Sequence, residues 1–238
     1  MTATADSGAP GALFAAYLGE KRPQIEAFLA ECAPACVAGT AEATRADLDR
    51  YLYQPLERFT ASGGKRTRPA LALLGCEAVG GDPAAALSTA AAIEYFQSAA
   101  LIHDDIADKS ELRRGEPCTY VTEGTGVAIN VGDLGLVNVL ALVLRDEKLP
   151  ADVRSDVAER LVQMEERTLE GQALDLGWAR DGRWDISVED YLYMASHKTA
   201  YYSAAVPLVT GALCGGGTPE QLREHVEQWW REYSKTLD

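Results

Sequence analysis

The sequence lacks several features that would place the protein outside the cytoplasm. It has no run of about 18 consecutive apolar residues, and its amino terminus lacks the basic start and apolar stretch of a signal peptide. Its five cysteines include no C-x-x-C pair, and an odd number fits poorly with the disulfide framework of a secreted protein. These absences predict a cytoplasmic protein with reduced thiols and no stable membrane anchor.

Positive charge is also scarce. The 238 residues include 22 basic against 36 acidic residues, which gives a formal net charge of −14. Such an excess disfavours nucleic acid and anionic membrane surfaces as partners. An anionic substrate must therefore be held by a local basic cluster or by a metal ion.

No linker rich in proline, glycine or serine divides the chain, and 47% hydrophobic content allows one substantial core. Apolar positions recur at helical spacing, and β-branched residues are sparse in the long segments, which predicts an all-α fold. We expect a disordered tail at residues 1–10 and one helical domain at 11–238. The predicted helices run roughly over 11–34, 43–60, 67–80, 83–108, 126–145, 150–176, 187–213 and 218–236.

The helix predicted to end at Asp108 is apolar nearly all round, yet it ends in aspartates. Asp104 and Asp108 are spaced to lie one turn apart on the same face, with Asp105 beside them. Acids at a helix carboxy terminus repel one another and interact unfavourably with the helix macrodipole, so a bound cation would stabilise them. Hard carboxylate oxygens suit Mg²⁺ that bridges to phosphate, whereas the alternative is a solvated acidic helix end.

Basic residues occur in two short segments near these acids in sequence. Arg113 and Arg114 follow closely after Asp108, and guanidinium groups bind phosphate oxygens in a fork geometry. Lys65 and Arg68 lie in a glycine-containing turn at 63–69, where a following helix start would add backbone donors. Taken singly, either segment is more often a solvated loop.

Two further polar pairs lie on predicted helices later in the chain. Gln172 and Asp175 share one helix face, which alone indicates only a surface pair. Lys198 and Thr199 interrupt an apolar helix, where an ammonium group must reach solvent or meet an anion. His103 and His197 are interpreted as packed structural histidines without a catalytic role.

Together these residues resemble the trans-type isoprenyl (polyprenyl) diphosphate synthase family, and in particular its geranylgeranyl and farnesyl diphosphate synthases. The resemblance covers residues from about 50 to 216 and rests on several motifs in matching order. They are G-G-K-R-T-R-P at 63–69, A-L-I-H-D-D-I-A-D at 100–108, L-R-R-G-E-P at 112–117, G-Q-A-L-D at 171–175 and K-T-A at 198–200.

The resemblance implies a single bundle of long antiparallel helices around a central apolar cavity, and a homodimer. It implies a prenyltransferase that condenses isopentenyl diphosphate with an allylic diphosphate through a Mg²⁺-dependent carbocation mechanism. Isopentenyl diphosphate would be bound by Lys65, Arg68, Gln97 and Arg114, with Gln172 as a further substrate-binding residue. The allylic diphosphate and its chemistry would depend on Asp104, Asp105, Asp108, Arg113, Lys198 and Thr199, with Asp104, Asp108 and Asp175 as the metal ligands.

The resemblance also bears on product length. A chain growing from the acids would run back along the helix that ends there and meet Ala100, Ala99 and then Phe96. The two alanines leave room, and Phe96 is the candidate floor, which implies a product of about twenty to twenty-five carbons by resemblance. An ordinary core phenylalanine is the alternative.

One departure from the family concerns the second aspartate-rich motif, F-Q-x-x-D-D-x-x-D. The sequence after Gly217 does not contain it, so we expect the chain to lack the carboxy-terminal part of the domain. Two other functions stay open: a class I terpene cyclase, which shares the acid-rich site, and a catalytically impaired regulatory subunit, which the missing motif would favour.

Overall fold

Helices form nearly all of the structure, a computed structural model that describes residues 10–36, 38–218 and 221. The fold class predicted from the sequence, all-α, is confirmed. The α-helices are α1 Pro10–Glu31, α2 Glu42–Leu48, α3 Gln54–Ala61, α4 Thr67–Ala78, α5 Leu87–Ala107, α6 Thr119–Glu123, α7 Thr125–Leu144, α8 Ala151–Asp181, α9 Val188–Ala195 and α10 Val206–Cys214.

Three helical segments depart from α geometry. A π-helical segment, Asp49–Tyr53, joins α2 to α3, and a second one, Ser196–Ala205, joins α9 to α10. A 3₁₀ turn, Pro83–Ala86, precedes α5 and is capped by the Asp82 carboxylate, which accepts from the Ala84 N–H at 2.9 Å. Seven of the predicted helices therefore exist, although two of them are partly π-helical. The predicted 218–236 helix lies mostly outside the described residues and stays a prediction.

A short antiparallel hairpin follows α5. Its strands are β1, Leu112–Arg113, and β2, Glu116–Pro117, and Arg113 pairs with Glu116. The turn between them has positive φ at Arg114 (56°) and Gly115 (86°). The sequence analysis did not predict these strands, which place Arg113 and Arg114 at the start of a tight turn.

The chain divides into two compact units, and each is described by itself. Unit 1 comprises Met1–Ala70 and Ala91–Leu142, and unit 2 comprises Leu71–Ala90 and Val143–Asp238. The predicted single domain at 11–238 stays a prediction, as does the tail, of which only Pro10, at the start of α1, is described.

The core of unit 1 is built around α5 and α7. Fully buried side chains include Tyr95, Ile102 and Val131, each of which contributes about 1.5–3 kcal/mol by leaving water. The two helices meet closely, because a Cβ added at Gly135 of α7 would lie 2.9 Å from the Ala99 Cβ of α5.

The core of unit 2 is built on α8, α4 and α10. Leu161 and Met164 of α8 are fully buried. A Cβ added at Gly211 of α10 would overlap the backbone of Ala72, so glycine is required for this approach. α8 ends at Gly182 in the left-handed conformation, and α9 begins with a capping box of Ser187 and Asp190.

Helix α7 is long and apolar enough to cross a membrane by length and composition alone. Its mean hydropathy reaches 2.0, and 39% of that stretch is buried inside the protein. Core helices of water-soluble proteins meet the same criteria, so a single such helix is weak evidence for a membrane span.

Candidate active site

The carboxy-terminal end of α5 carries the three aspartates. Asp104 is half-buried, Asp105 is 1% exposed and Asp108 is exposed. The Asp108 N–H donates to the Asp104 carbonyl at 2.8 Å, which places these two residues one turn apart. The helix ends at Ala107, Lys109 follows in the left-handed region (φ 54°), and the Ser110 N–H donates to the Asp105 carbonyl at 2.9 Å, as in a left-handed helix cap.

Arg113 of the hairpin is bound to the buried aspartate. Its Nε donates to Asp105 Oδ1 at 2.9 Å, its Nη2 donates to the same oxygen, and Nη2 lies 3.8 Å from Asp104 Oδ2. The hydrogen bond to Asp105 raises the pKa of Arg113 above its ordinary value although burial opposes the shift. From the sequence, Asp105 is expected in the acid cluster and Arg113 at the diphosphate. In the structure the two residues are paired with each other.

Asp105 also has a buried thiol beside it. Burial, together with a hydrogen bond to Asp105, raises the pKa of Cys118 to about 11, so this thiol stays protonated at neutral pH. The other carboxylate oxygen, Asp105 Oδ2, is buried and has no hydrogen-bond partner among the described residues. Asp105 therefore acts in this structure as the support of the hairpin.

Arg114 lies against the glycine turn that connects α3 to α4. Its Nη1 donates to Ser62 Oγ at 3.1 Å and to the Gly63 carbonyl, and its guanidinium lies 6.0 Å from the Phe59 ring centroid. Burial and the like charges of Arg66 and Arg113 lower the pKa of Arg114, although the Glu94 charge opposes the shift. These direct contacts use uncharged groups, so Arg114 adds positive potential at this turn.

The cations in and next to the glycine turn differ in their exposure to solvent. Lys65 is exposed, Arg66 is 3% exposed and Arg68 is half-buried. Positive φ at Gly63 (102°) and Gly64 (136°) explains the glycines. Arg66 also has a positive φ (54°), which is uncommon for a residue with a side chain.

Arg66 was not assigned a role from the sequence, yet it is the most connected residue of this turn. Its Nε and Nη2 donate to both carboxylate oxygens of Glu26 at 3.0 Å, its Nη1 donates to Glu94, and its Nη2 donates to the Thr60 carbonyl at 2.8 Å. Burial lowers the pKa of Arg66, but the hydrogen bonds and charges of Glu26 and Glu94 raise it above its ordinary value overall. No local sequence pattern indicates this network, because Glu26 and Glu94 lie 40 and 28 residues away from Arg66.

The remaining candidates in unit 1 lie on α5. Gln97 is half-buried and stands seven residues before Asp104, on the same helix face. Phe96 is 3% exposed, Ala99 is fully buried and Ala100 is half-buried. Because Ala99 packs against α7 at Gly135, Ala100 is the less tightly packed of the two alanines.

Unit 2 carries a second cluster, between α8 and the π-helical segment Ser196–Ala205. Lys198 Nζ donates to Asp175 Oδ2, and their side chains are 27% and 40% exposed. The backbone of Lys198 approaches Gly171 so closely that a Cβ there would overlap it. Gln172 is half-buried and Thr199 is exposed. The sequence analysis grouped Asp175 with the metal ligands, whereas here its carboxylate holds the Lys198 ammonium.

Glu165 of α8 is a half-buried acid that the sequence did not indicate. Burial raises the pKa of its carboxyl group to about 7, and its Oε1 has no hydrogen-bond partner among the described residues. It shares a helix face with Gln172, two turns further along α8.

The acids of unit 1 fit Mg²⁺ only in a particular way. Within the part of the chain that the structure describes, no three or more His, Cys, Asp or Glu side chains are grouped to hold a metal. Mg²⁺ commonly uses one or two carboxylates and takes its other ligands from water and substrate phosphates. Asp104 and Asp108 offer two carboxylates of this kind, so the donor set fits a phosphate-bridged ion rather than a closed protein cage.

Comparisons with known proteins agree with this chemistry. A family model described as polyprenyl synthetase matches residues 49–234. The short chain isoprenyl diphosphate synthase of Methanothermobacter thermautotrophicus is 41% identical over 173 residues, which make up 72% of this chain and 51% of that protein. Farnesyl diphosphate synthase of Geobacillus stearothermophilus is 37% identical over 172 residues, 68% of this chain and 56% of that protein.

The fold is likewise similar to solved structures. The crystal structure of geranylgeranyl pyrophosphate synthetase from Pyrococcus horikoshii matches with a TM-score of 0.76 and 32% identity, and covers 88% of this chain and 60% of that one. The chain thus spans roughly half the length of the curated relatives it matches.

Proposed function

Because the chain belongs to the polyprenyl synthetase family, we propose that it acts in isoprenoid biosynthesis as a prenyltransferase that condenses isopentenyl diphosphate with an allylic diphosphate. The observation that carries the proposal is the arrangement of unit 1. The acids at the end of α5, the hairpin arginines and the glycine turn belong to one compact unit, and they combine carboxylates for a metal with cations for diphosphate.

We assign isopentenyl diphosphate to the glycine turn and its surroundings. The ligands are Lys65, Arg68, Gln97 and Arg114. Arg114 supports this assignment, because its direct contacts are with uncharged groups and none of the carboxylates that the structure describes is bound to it. Lys65 supports it as well, because its ammonium is exposed on a turn whose glycines allow a ligand to approach the backbone.

We assign the allylic diphosphate to the acidic end of α5, with Asp104 and Asp108 as ligands of Mg²⁺. A bound Mg²⁺ would neutralise charge on the diphosphate as it leaves. Arg113, held by Asp105, would add a fixed positive charge at the same place. The buried apolar residues of α5 would exclude water from the allylic cation.

For unit 2 we propose diphosphate binding by Lys198 and Thr199, with Gln172 nearby. The Lys198 ammonium contacts the Asp175 carboxylate, which neutralises its positive charge. A diphosphate at Lys198 would compete with that carboxylate unless Mg²⁺ drew Asp175 away, which is how Asp175 would serve as a metal ligand.

The test is a condensation assay with isopentenyl diphosphate and an allylic diphosphate, with and without Mg²⁺. We expect product only with both substrates and the metal. Asp104→Asn should lower turnover by orders of magnitude, whereas Asp156→Asn, an exposed aspartate of α8, should not. Turnover in excess chelator would contradict the metal assignment, and product from the allylic diphosphate alone would indicate a terpene cyclase instead.

Product length supplies a second test. We propose about twenty to twenty-five carbons by resemblance, with Phe96 as the floor of the cavity. Phe96→Ala should lengthen the product. Ala99→Phe, the substitution that the sequence suggests for shortening it, would press on Gly135 of α7, so Ala100→Phe is the cleaner probe. Chromatography of the dephosphorylated products decides, and an unchanged distribution in both variants would remove α5 from length control.

We further propose that the protein is a cytoplasmic homodimer. One face of α7 exposes Ile129, Val137 and Leu144, and a second copy would cover this face without any need for a membrane. Val137→Glu should convert the dimer to a monomer in light scattering after gel filtration. Leu169→Glu, an equally exposed leucine of α8, should not. A monomeric wild type, or a wild type that requires detergent, would contradict the proposal.

A further inference from the structure

The guanidinium of Arg66 joins three parts of unit 1. It binds Glu26 of α1, Glu94 of α5 and the Thr60 carbonyl near the end of α3. Arg66 and Glu94 are both 3% exposed, so the contact between them is sheltered from solvent. Glu26 is 35% exposed and also lies 3.4 Å from Arg22 on the surface.

The backbone of Arg66 continues directly from the proposed ligand Lys65. Two glycines precede Lys65, and their freedom leaves the turn little conformational restraint of its own. Two arginine side chains supply the restraint. Arg114 binds the Gly63 carbonyl on one side of Lys65, and Arg66 is fixed by its acids on the other.

The acid on α1 lies outside the part of the chain that the family model matches. That match begins at residue 49, whereas Glu26 belongs to α1, Pro10–Glu31. Glu26 nevertheless accepts hydrogen bonds from Arg66 through both carboxylate oxygens, at 3.0 Å each. A bidentate contact of this kind fixes the orientation of the guanidinium as well as its position.

We propose that Arg66 is a positioning residue that couples α1 and α5 to the glycine turn, so that Glu26 and Glu94, acting through Arg66, set the place of Lys65 for isopentenyl diphosphate. The inference rests on the proposed function for the identity of the ligand. The physical reason is preorganisation, because a turn that is already ordered loses less conformational entropy when it binds diphosphate. α1 thereby contributes to substrate affinity without touching the substrate.

The test compares ligand affinities of the purified chain by calorimetry. In Glu94→Gln the affinity for isopentenyl diphosphate should fall about tenfold, since the ion pair with Arg66 is replaced by a weaker hydrogen bond to an uncharged acceptor. In Glu26→Gln it should fall about threefold, because this carboxylate is partly exposed. Arg66→Lys keeps the charge but cannot reach three acceptors at once, so it should resemble Glu94→Gln.

The matched control is Arg22→Ala, which removes the other cation at Glu26 and should leave affinity unchanged. A bisphosphonate with Mg²⁺, as a mimic of the allylic substrate, should bind all variants within about twofold of wild type, because its assigned ligands lie elsewhere. In the two glutamate variants the turn is expected to be less well ordered, so trypsin should cut after Lys65 several-fold faster. The comparison is direct because the turn sequence itself is unchanged in these variants.

The outcomes separate the inference from the proposed function. If the variants bind isopentenyl diphosphate as tightly as the wild type, or lose affinity equally for both ligands, the positioning role is overturned. Binding of isopentenyl diphosphate by the wild type would still support the proposed function. A wild type that binds no isopentenyl diphosphate would overturn the proposed function, and the substrate part of the inference with it. If Glu94→Gln does not fold, as judged by circular dichroism, Glu26→Gln and its Arg22→Ala control decide.

Discussion

Arg66 and Arg114 have nearly the same positive φ, 54° and 56°, but their guanidinium groups contact different partners. Arg66 is buried between two carboxylates, which raise its pKa overall against the effect of burial. Arg114 is held by a hydroxyl, a carbonyl and an aromatic ring, and burial lowers its pKa. Arg66, whose charge is neutralised by one buried and one partly exposed carboxylate, holds parts of the fold together. Arg114 keeps its charge for the anion that we propose it binds.

The largest effect should follow from Arg66→Met. This substitution leaves Glu94 buried without its cation, which costs about 3–5 kcal/mol of the free energy of unfolding. Within residues 10–36 and 38–218, Arg114→Met removes no direct contact with a carboxylate, and it should cost less than about 1 kcal/mol. Urea denaturation of the two variants measures the difference in the free energy of unfolding. Equal losses would contradict the different roles of Arg66 and Arg114.

Asp105→Asn tests whether Arg113 belongs with the structural arginines. Asparagine still accepts a hydrogen bond but carries no charge, so we expect a loss of about 2 kcal/mol in the free energy of unfolding. Asp108→Asn, at an exposed position of the same motif, should leave stability nearly unchanged. A stable Asp105→Asn variant would mean that Arg113 does not depend on Asp105 for its position.

Arg114→Ala tests the other side of the comparison through kinetics. Its KM for isopentenyl diphosphate should rise about tenfold, in line with the loss of one charge-assisted contact to diphosphate. Lys65→Ala should act in the same way, and KM for the allylic substrate should change less in both variants. An equal rise in both KM values would show that the cations are wrongly divided between the two substrates.

The smallest effect concerns pH. Burial alone would raise the pKa of Glu26, but the hydrogen bond and charge of Arg66, with those of Arg22, lower it below the ordinary value of 4.5. Its contribution to stability is therefore present above pH 4.5 and is lost as pH falls further. Glu26→Gln should be less stable than wild type at pH 7 by about 0.5–1 kcal/mol, since solvent screens the partly exposed pair.

Thermal unfolding of this pair of proteins at pH 7 and at pH 3 checks the sign. The difference between them should shrink at the lower pH, because below its ordinary pKa of 4.5 Glu26 takes up a proton in the unfolded chain more readily than in the folded protein. A difference that stays constant would mean that the carboxylate charge contributes nothing to the contact with Arg66.

The helices could be predicted from the sequence because apolar spacing is a local property. Seven of the predicted segments correspond to observed helices, and the long central ones, such as α5 and α7, agree to within a few residues. The hairpin could not be predicted, because strands of two residues show no periodicity. Its two strands are held by their pairing and by the Arg113–Asp105 contact. The short helix α6 was missed for a similar reason, since five residues show barely one helical turn.

The site was predictable where its residues are close in sequence. Asp104, Asp105 and Arg113 lie within ten residues of one another, so their proximity follows from chain geometry. What the sequence could not indicate was which acid meets which cation. The Arg113–Asp105 contact depends on the hairpin that turns Arg113 back toward α5. The Lys198–Asp175 contact and the enclosure of Arg66 depend on packing between segments that are more distant in the chain.

The π-helical segment Ser196–Ala205 has a consequence for how the chain tolerates insertions and deletions. A π-helical turn holds more residues than an α-helical one, so removing one residue there would let the backbone close into a continuous α-helix from α9 to α10. Both flanking helices would keep their relative direction, because the wider turn accommodates the residue that is removed, and only side chains within the segment would change direction. Lys198 would then no longer face Asp175, so this segment is one where a shortened chain would keep its helix content and lose its ion pair.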